Sequence, residues 1–190
     1  MTTVNVRSHN GVQIPAPGTF TLDPSHTTIG FVARHLMVTK VRGRFSDFTG
    51  SITFAEEPLA SSAEVTIQVA SVTTGDDRRD EHLKSADFFD VDNHPTMTFR
   101  STEVKTDGGG RYVLTGDLTI KGVTRSVDLA VEPEGVGPDP WGGERAGFTA
   151  SAEVDREAWG LTWNVALDAG GVLVSKNVKL EIDVQAVRQA

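Results

Sequence analysis

His26-Thr27-Thr28-Ile29-Gly30-Phe31-Val32-Ala33-Arg34-His35 and Arg79-Asp80-Glu81-His82-Leu83-Lys84-Ser85-Ala86-Asp87-Phe88-Phe89-Asp90 decide how this chain folds. In the first stretch Ile29, Phe31, Ala33 and His35 fall on one face of an extended segment, because side chains on a strand change face at every residue. The second is a polar helical start running into an aromatic knuckle. It interrupts a chain otherwise dominated by strands. Together they predict a β-barrel with an apolar interior and one helical element at its wall or mouth.

The same alternation extends in both directions. Phe20 and Leu22 precede the first stretch, across the Asp23-Pro24-Ser25 turn. Val41, Gly43 and Phe45 hold one phase; Phe48, Gly50, Ile52 and Phe54 hold the other. A slip of one residue between Phe45 and Phe48 predicts a bulge at Ser46-Asp47, which bends a long strand as barrel closure requires. Later series are Val65, Ile67 and Val69, then Met97, Phe99 and Ser101. Tyr112, Leu114, Gly116, Leu118 and Ile120 turn at Lys121-Gly122 into Val127, Leu129 and Val131. Phe148, Ala150, Ala152 and Val154 follow, and Val178, Leu180, Ile182 and Val184 close the chain. That makes about eight strands joined mostly by short turns, hence antiparallel. Glycines within the strands favour a barrel, since corners need them. A sandwich would alternate in the same way.

A helix is expected from Asp76 or Asp77, either of which can cap it, with Leu83 on its buried side and Ser85 capping a second short turn. Residues 1–17 read as an arm ahead of a domain spanning 18–187, and Gly135 to Gly143 reads as a mobile loop carrying Trp141.

The 190 residues suit one domain, and 18 basic against 26 acidic residues give a net charge of −8. Nucleic acid is thereby excluded as a partner, since phosphates require a basic surface. The same balance opposes docking on anionic lipid, unless a local basic patch is hidden within it. With no cysteine, disulfides, thiolate zinc sites and cysteine nucleophiles are excluded. The first ten residues lack a signal-like apolar core, and no run approaches the ~20 apolar residues of a membrane span. A cytoplasmic protein without a transmembrane segment is expected.

The five histidines, His9, His26, His35, His82 and His94, form no His-x-His, His-x3-His or HExxH pattern, so no metal is expected. Asp23, Ser25 and His26 carry the residue types of a triad, but neighbours on one turn do not align hydroxyl, imidazole and carboxylate. No phosphate loop or dinucleotide fingerprint is present, and no cofactor is expected.

The motifs in their order resemble the YceI-like family of polyisoprenoid-binding proteins. The pieces are Asp23 through Phe31 with His35, Val41-Arg42-Gly43-Arg44-Phe45 with Phe48-Thr49-Gly50, Arg79 through Leu83 to Phe88-Phe89-Asp90, and Pro95-Thr96-Met97-Thr98-Phe99. Leu118 through Thr124, Asp155-Arg156 with Trp159-Gly160-Leu161, and Val178 through Ile182 complete the set. Ala86 stands where relatives often carry proline. The resemblance covers about residues 18–187. It implies an all-β, eight-stranded antiparallel lipocalin-like β-barrel with one short helical segment near residues 76–90, an elongated lumen for an isoprenoid or similar amphiphilic chain, and a homodimer.

Phe20, Phe31, Phe45, Phe48, Met97, Phe99, Leu118, Phe148, Leu161 and Trp163 are the candidate ligand-binding residues. From pattern alone they either line a channel or fill a core; the resemblance favours the channel. Arg34 and His35 are placed at the rim, near a ligand head group. Two rival readings remain open: an enzyme acting on a small hydrophobic substrate with His35 as acid or base, and a structural dimerisation domain with a filled core.

Overall fold

The structure, a computed structural model, describes residues 3–190. Among the described residues thirteen strands and one α-helix follow in order. They are β1 (Val6–His9), β2 (Val12–Pro15), β3 (Gly18–Leu22), β4 (Thr28–His35), β5 (Thr39–Phe45), β6 (Phe48–Phe54), β7 (Ser62–Gln68) and β8 (Val72–Thr73), then helix α1 (Asp77–Lys84). After it come β9 (Thr96–Thr106), β10 (Tyr112–Ile120), β11 (Val123–Pro138), β12 (Glu144–Asp155) and β13 (Asn177–Arg188).

The main sheet runs β12-β11-β10-β9-β7-β6-β3-β13 and closes through a β12–β13 pairing, giving the expected eight-stranded antiparallel barrel. β3 and β4 act as one interrupted strand: β13 pairs with β4 over Lys179–Asp183 and with β3 over Ala186–Arg188. The interruption is pinned by a buried hydroxyl. Thr27 Oγ1 donates to the Gln185 carbonyl at 3.0 Å and accepts from the Gln185 N–H at 3.1 Å. β5 and β6 are interrupted in the same way at Ser46-Asp47, so that Phe45 and Phe48 both point inward. A two-residue bulge is what restores both to the core.

Two in-strand glycines explain their own aromatic neighbours. Phe31 pairs directly with Gly43 and its ring occupies the space where a Cβ on Gly43 would lie; Phe99, paired with Leu118, lays its ring diagonally over Gly116. A missing side chain on one strand is thus filled by a ring from the next, which fixes register.

The helix starts where Asp76 Oδ1 accepts the Arg79 N–H at 3.0 Å, and Ser85 ends it. Asp80, buried, accepts from both the N–H and the hydroxyl of Thr74, at 2.8 and 2.6 Å. A carboxylate in the first turn of α1 therefore anchors the helix to the segment that follows β8.

The expected 1–17 arm, whose residues 1 and 2 lie outside the described residues, carries the β1–β2 hairpin from Val6 to Pro15, turning at Asn10-Gly11 with both residues at positive φ. The expected Gly135–Gly143 loop is shorter than its composition suggests. Gly135 to Pro138 pair with Gly147 to Glu144 in the β11–β12 ladder, after a bulge between Pro133 and Gly135. Proline cannot donate to a ladder, so the bulge sits where its missing N–H is tolerated. Among the described residues no helix is long and apolar enough to cross a membrane.

Candidate functional site

The barrel encloses an apolar cavity of about 320 Å³ that runs from one end to the other. This is far above the roughly 10–15 Å³ that admits one water, and within the usual range for small-molecule pockets. Strand alternation builds it directly. Ile29, Phe31, Ala33 and Phe45 come from β4 and β5, Val65 and Ile67 from β7, Met97 and Phe99 from β9, and Leu114 and Leu118 from β10. Phe148 and Ala150 from β12 and Leu180, Ile182 and Val184 from β13 close the ring. Polar groups on the wall are few, among them Thr27, Tyr112 and Arg156.

One end is floored. Ile14 of the N-terminal hairpin is buried against the cavity, and Arg7 holds that hairpin in place through Pro15 O at 3.0 Å and the carbonyls of Ala55 and Glu56. Beneath it Arg188 donates to Ala16 O and Glu144 Oε1, both at 3.0 Å, and to Pro17 O at 2.9 Å. Its guanidinium lies 4.7 Å from the centre of the Phe20 ring, which meets Phe54 edge-on at 5.2 Å. Phe20, wholly buried, therefore belongs to the floor and not to the cavity wall.

The other end is roofed by α1 with the 85–95 knuckle and by the 156–176 segment. Phe88 and Phe89 both reach the cavity, and Phe89 packs edge-on against Phe45 at 5.8 Å. His82 sits edge-on to Trp163 at 4.5 Å and to Phe88 at 5.1 Å, with Nε2 paired to Asp87 at 2.8 Å. This aromatic cluster ties the two halves of the roof together.

Within the roof lies a residue that the sequence reading passed over. Arg156 is buried, at 6% exposure, and faces the cavity beside Phe88, whose ring centre is 5.8 Å from the guanidinium. It hydrogen-bonds no carboxylate; its Nε and Nη1 donate to Ser175 O at 2.9 Å and Leu161 O at 2.6 Å, and Nη2 approaches Val174 O at 3.5 Å. Burial lowers its pKa from the ordinary value, against the flanking charges of Glu157 and Asp155.

Of the candidate residues, Phe31, Phe45, Met97, Phe99, Leu118, Phe148 and Leu161 line the cavity. Phe48 is buried in the core outside that lining, and Trp163 is held in the roof cluster. His35 and Arg34 are exposed beyond Ala33, the last cavity residue of β4. His35 bridges to Val174. The wall residues missed, such as Leu114, Val127, Leu129 and Leu180, belonged to strand series already identified; their phase was signal enough.

The remaining histidines are dispersed. Among the described residues no group of three His, Asp or Glu side chains gathers as a metal set. At the Asp23 turn, Asp23 accepts from Arg145 at 2.6 Å and from His26 at 2.9 Å, while Ser25 contributes only its backbone N–H. Arg145 first, then His26, hold the Asp23 carboxyl down at about 2. The grouping is a structural clasp that joins β3 to β12.

The family model described as the YceI-like domain matches residues 20–186. The chain belongs to the YceI-like family. A UPF0312 protein of Photorhabdus laumondii is 43% identical over 165 residues, covering 86% of this chain and 82% of the relative. The crystal structure of Burkholderia cenocepacia BcnA superposes with a TM-score of 0.74 at 25% identity, covering 86% of this chain and 98% of that one. A polyisoprenoid binding domain from Saccharophagus degradans, at 15% identity, shares the fold with a TM-score of 0.65, covering 92% of this chain and all of its own. In this YceI-like barrel the family's sequence motifs map onto structural joints: Thr27 on β13, Asp80 on Thr74, and Trp159, whose Nε1 donates to Leu118 O at 2.9 Å.

Proposed function

We propose that this YceI-like barrel binds, stores or transports a long-chain isoprenoid or a similar amphiphilic molecule in its cavity, without itself transforming it. One observation carries the reading: an apolar cavity extends the length of the barrel where a solid core would otherwise be. A chain placed there gains roughly 0.8 kcal/mol per methylene removed from water, offset by the cost of association. The tail lies along Phe31, Phe45, Phe99 and Phe148. The head emerges where Ala33 leads to Arg34 and His35. The polyisoprenoid-binding name of the Saccharophagus neighbour points the same way, although its likeness to this chain is one of fold.

The test combines recovery with obstruction. Organic extraction of purified protein followed by mass spectrometry is expected to yield a long apolar chain. Ala150→Trp, which projects an indole into the cavity from β12, is expected to fold and to lose uptake of added prenyl compounds. A parent protein that yields no lipid and takes up no prenyl compound refutes the proposal. So does an Ala150→Trp variant that cannot fold, because a vacant interior would have accommodated the ring.

A further inference from the structure

The β4–β5 hairpin has a composition unlike the rest of this acidic chain. Between Thr27 and Ser46 there is no aspartate or glutamate, yet Arg34, Lys40, Arg42 and Arg44 are present. Register places all four on one face. Arg34 is directly opposite Lys40, Val32 opposite Arg42 and Gly30 opposite Arg44, while the alternate residues Ile29, Phe31, Ala33 and Phe45 face the cavity. All four cations are exposed, and among the described residues only Arg42 forms an ion pair, with Glu181 at 2.9 Å. Like charges set opposite one another across a ladder are unfavourable unless an anion lies against them.

The tip joining the two strands is apolar. Leu36, Met37 and Val38 are 41%, 52% and 75% exposed, and Val165 of the neighbouring roof segment is 45% exposed. Leu36 is tied to that segment by its N–H to Leu173 O at 2.8 Å. Leu36 and Met37 both hold positive φ, at 53° and 58°, in a turn closed by the Val38 N–H to His35 O at 3.0 Å. That backbone suits Asn-Gly; two large aliphatic side chains are held there against their preference and out into solvent. Strain of this kind points to a function for the side chains so displayed.

We propose that this hairpin is a docking surface for an anionic lipid bilayer, with Leu36, Met37 and Val38 inserting among the acyl chains. Arg34, Lys40 and Arg44, in no ion pair among the described residues, then engage the lipid phosphates, with Arg42 held by Glu181 beside them. An apolar tip beneath a basic collar is the arrangement that binds such an interface. The net charge of −8 does not oppose it. Carboxylates more than about 10 Å from the surface are largely screened at ordinary ionic strength, so the local patch decides. The hairpin also continues from the cavity wall: Ala33 is a cavity residue, and the exposed tip starts three positions later. The inference goes beyond the cavity reading and does not depend on it, because docking requires no bound ligand.

Co-sedimentation of the full chain with vesicles tests it, comparing phosphatidylcholine alone with phosphatidylcholine mixed with phosphatidylglycerol. Binding is expected to the mixed vesicles only and to fall with added salt. Removing one collar cation, as in Arg34→Gln, is expected to weaken it roughly fivefold. The decisive variant is Leu36→Asn with Met37→Gly, which supplies the residues this turn prefers and so preserves the fold. It is expected to keep or raise the thermal midpoint while binding roughly tenfold or more weakly. Three results overturn the proposal: no binding to the mixed vesicles at low salt, undiminished binding by the double variant, or a tip that mediates only self-association, seen as a dimer lost in that variant without vesicle binding by the parent.

Discussion

Replacing Arg156 by methionine is the most direct probe of how the roof is held. The guanidinium bonds Leu161 O at 2.6 Å and Ser175 O at 2.9 Å; the Val174 O contact at 3.5 Å lies beyond a good hydrogen bond and adds little. Two bonds from a charged donor are worth roughly 1.5–3 kcal/mol each. Opposing this, the parent buries a cation without a hydrogen-bonded carboxylate, a cost of up to several kcal/mol that methionine removes. The lost bonds win, because the two carbonyls stay behind in a segment folded onto itself. A net loss of about 2 kcal/mol is expected.

Urea unfolding should show the loss as a lower midpoint at unchanged slope. Hydrogen exchange should quicken first in the 161–176 segment, since Arg156 joins its two ends, and only later in β9 to β12. Arg156→Lys should rescue little, because an ammonium on a single stem cannot reach two divergent carbonyls at once. A methionine variant within about 0.5 kcal/mol of the parent, or full rescue by lysine, would refute this account of the roof.

Three other expectations follow from the same contacts. Asp23→Asn removes a carboxyl held at about 2, below its ordinary 3.8, by Arg145 and His26. A depressed pKa stabilises the fold above the unfolded value and loses that effect as pH falls through the folded one. Unfolding free energies of parent and variant from urea titrations should thus differ by about 2 kcal/mol near neutrality and converge as pH drops from about 4 to 2; a constant difference would contradict it. Gly50→Ala places a Cβ 2.7 Å from Glu64 O and 2.8 Å from Leu22 Cδ1, so it should cost about 1–3 kcal/mol, whereas Gly147→Ala, with nothing nearer than 3.6 Å, should be neutral or slightly stabilising. Trp159→Phe deletes the Nε1 bond to Leu118 O and should lower stability by about 1 kcal/mol, measured by thermal unfolding.

Much of the barrel was legible because its information is periodic. The slip between Phe45 and Phe48 located the β5–β6 bulge, and Asp76 or Asp77 marked the start of α1, since caps and phase are local properties; Ser85, expected to cap the following turn, also ends the helix. Phase marked the inward-facing residues, but that they line a cavity and do not fill a core was what the family resemblance implied. What depends on tertiary placement was hidden. Phe20 and Phe31 share the same inward pattern, yet Arg188 stacks on Phe20 and seals it into the floor. Trp163 leaves the strand pattern after Leu161 and is claimed by His82. Arg156 sits between two acids in sequence, where nothing local buries it; only the return of residues 161–176 does. One signal was available and overlooked: Asn10-Gly11 between Val6 and Ile14 marks the hairpin that became the floor.

The two ends of the barrel differ in how costly they are to open. The floor joins separate parts of the chain through Arg188, Glu144, Arg7 and Ile14, so displacing it breaks the closure between β3 and β13 along with the N-terminal hairpin. The roof is built from segments outside the barrel strands, knit together by Arg156 to the 161–175 carbonyls, Asn164 to Val174 at 2.8 Å and His82 to Trp163, and fastened to the strands by single hydrogen bonds such as Leu36 N–H to Leu173 O and Trp159 to Leu118 O. Local opening follows the smallest cooperative unit, and here that unit is the 156–176 segment together with α1. A long chain leaving the cavity would therefore pass the roof, between Phe88, Val174 and Ala33. Passage through the floor would need partial unfolding of the barrel itself. Disulfides make the distinction measurable: one joining the roof segment to the β4–β5 hairpin should slow release of a bound chain, and one locking the N-terminal hairpin to β11 should leave the rate unchanged. Equal slowing by both would mean that the barrel breathes as a whole and that the asymmetry of its ends has no kinetic consequence.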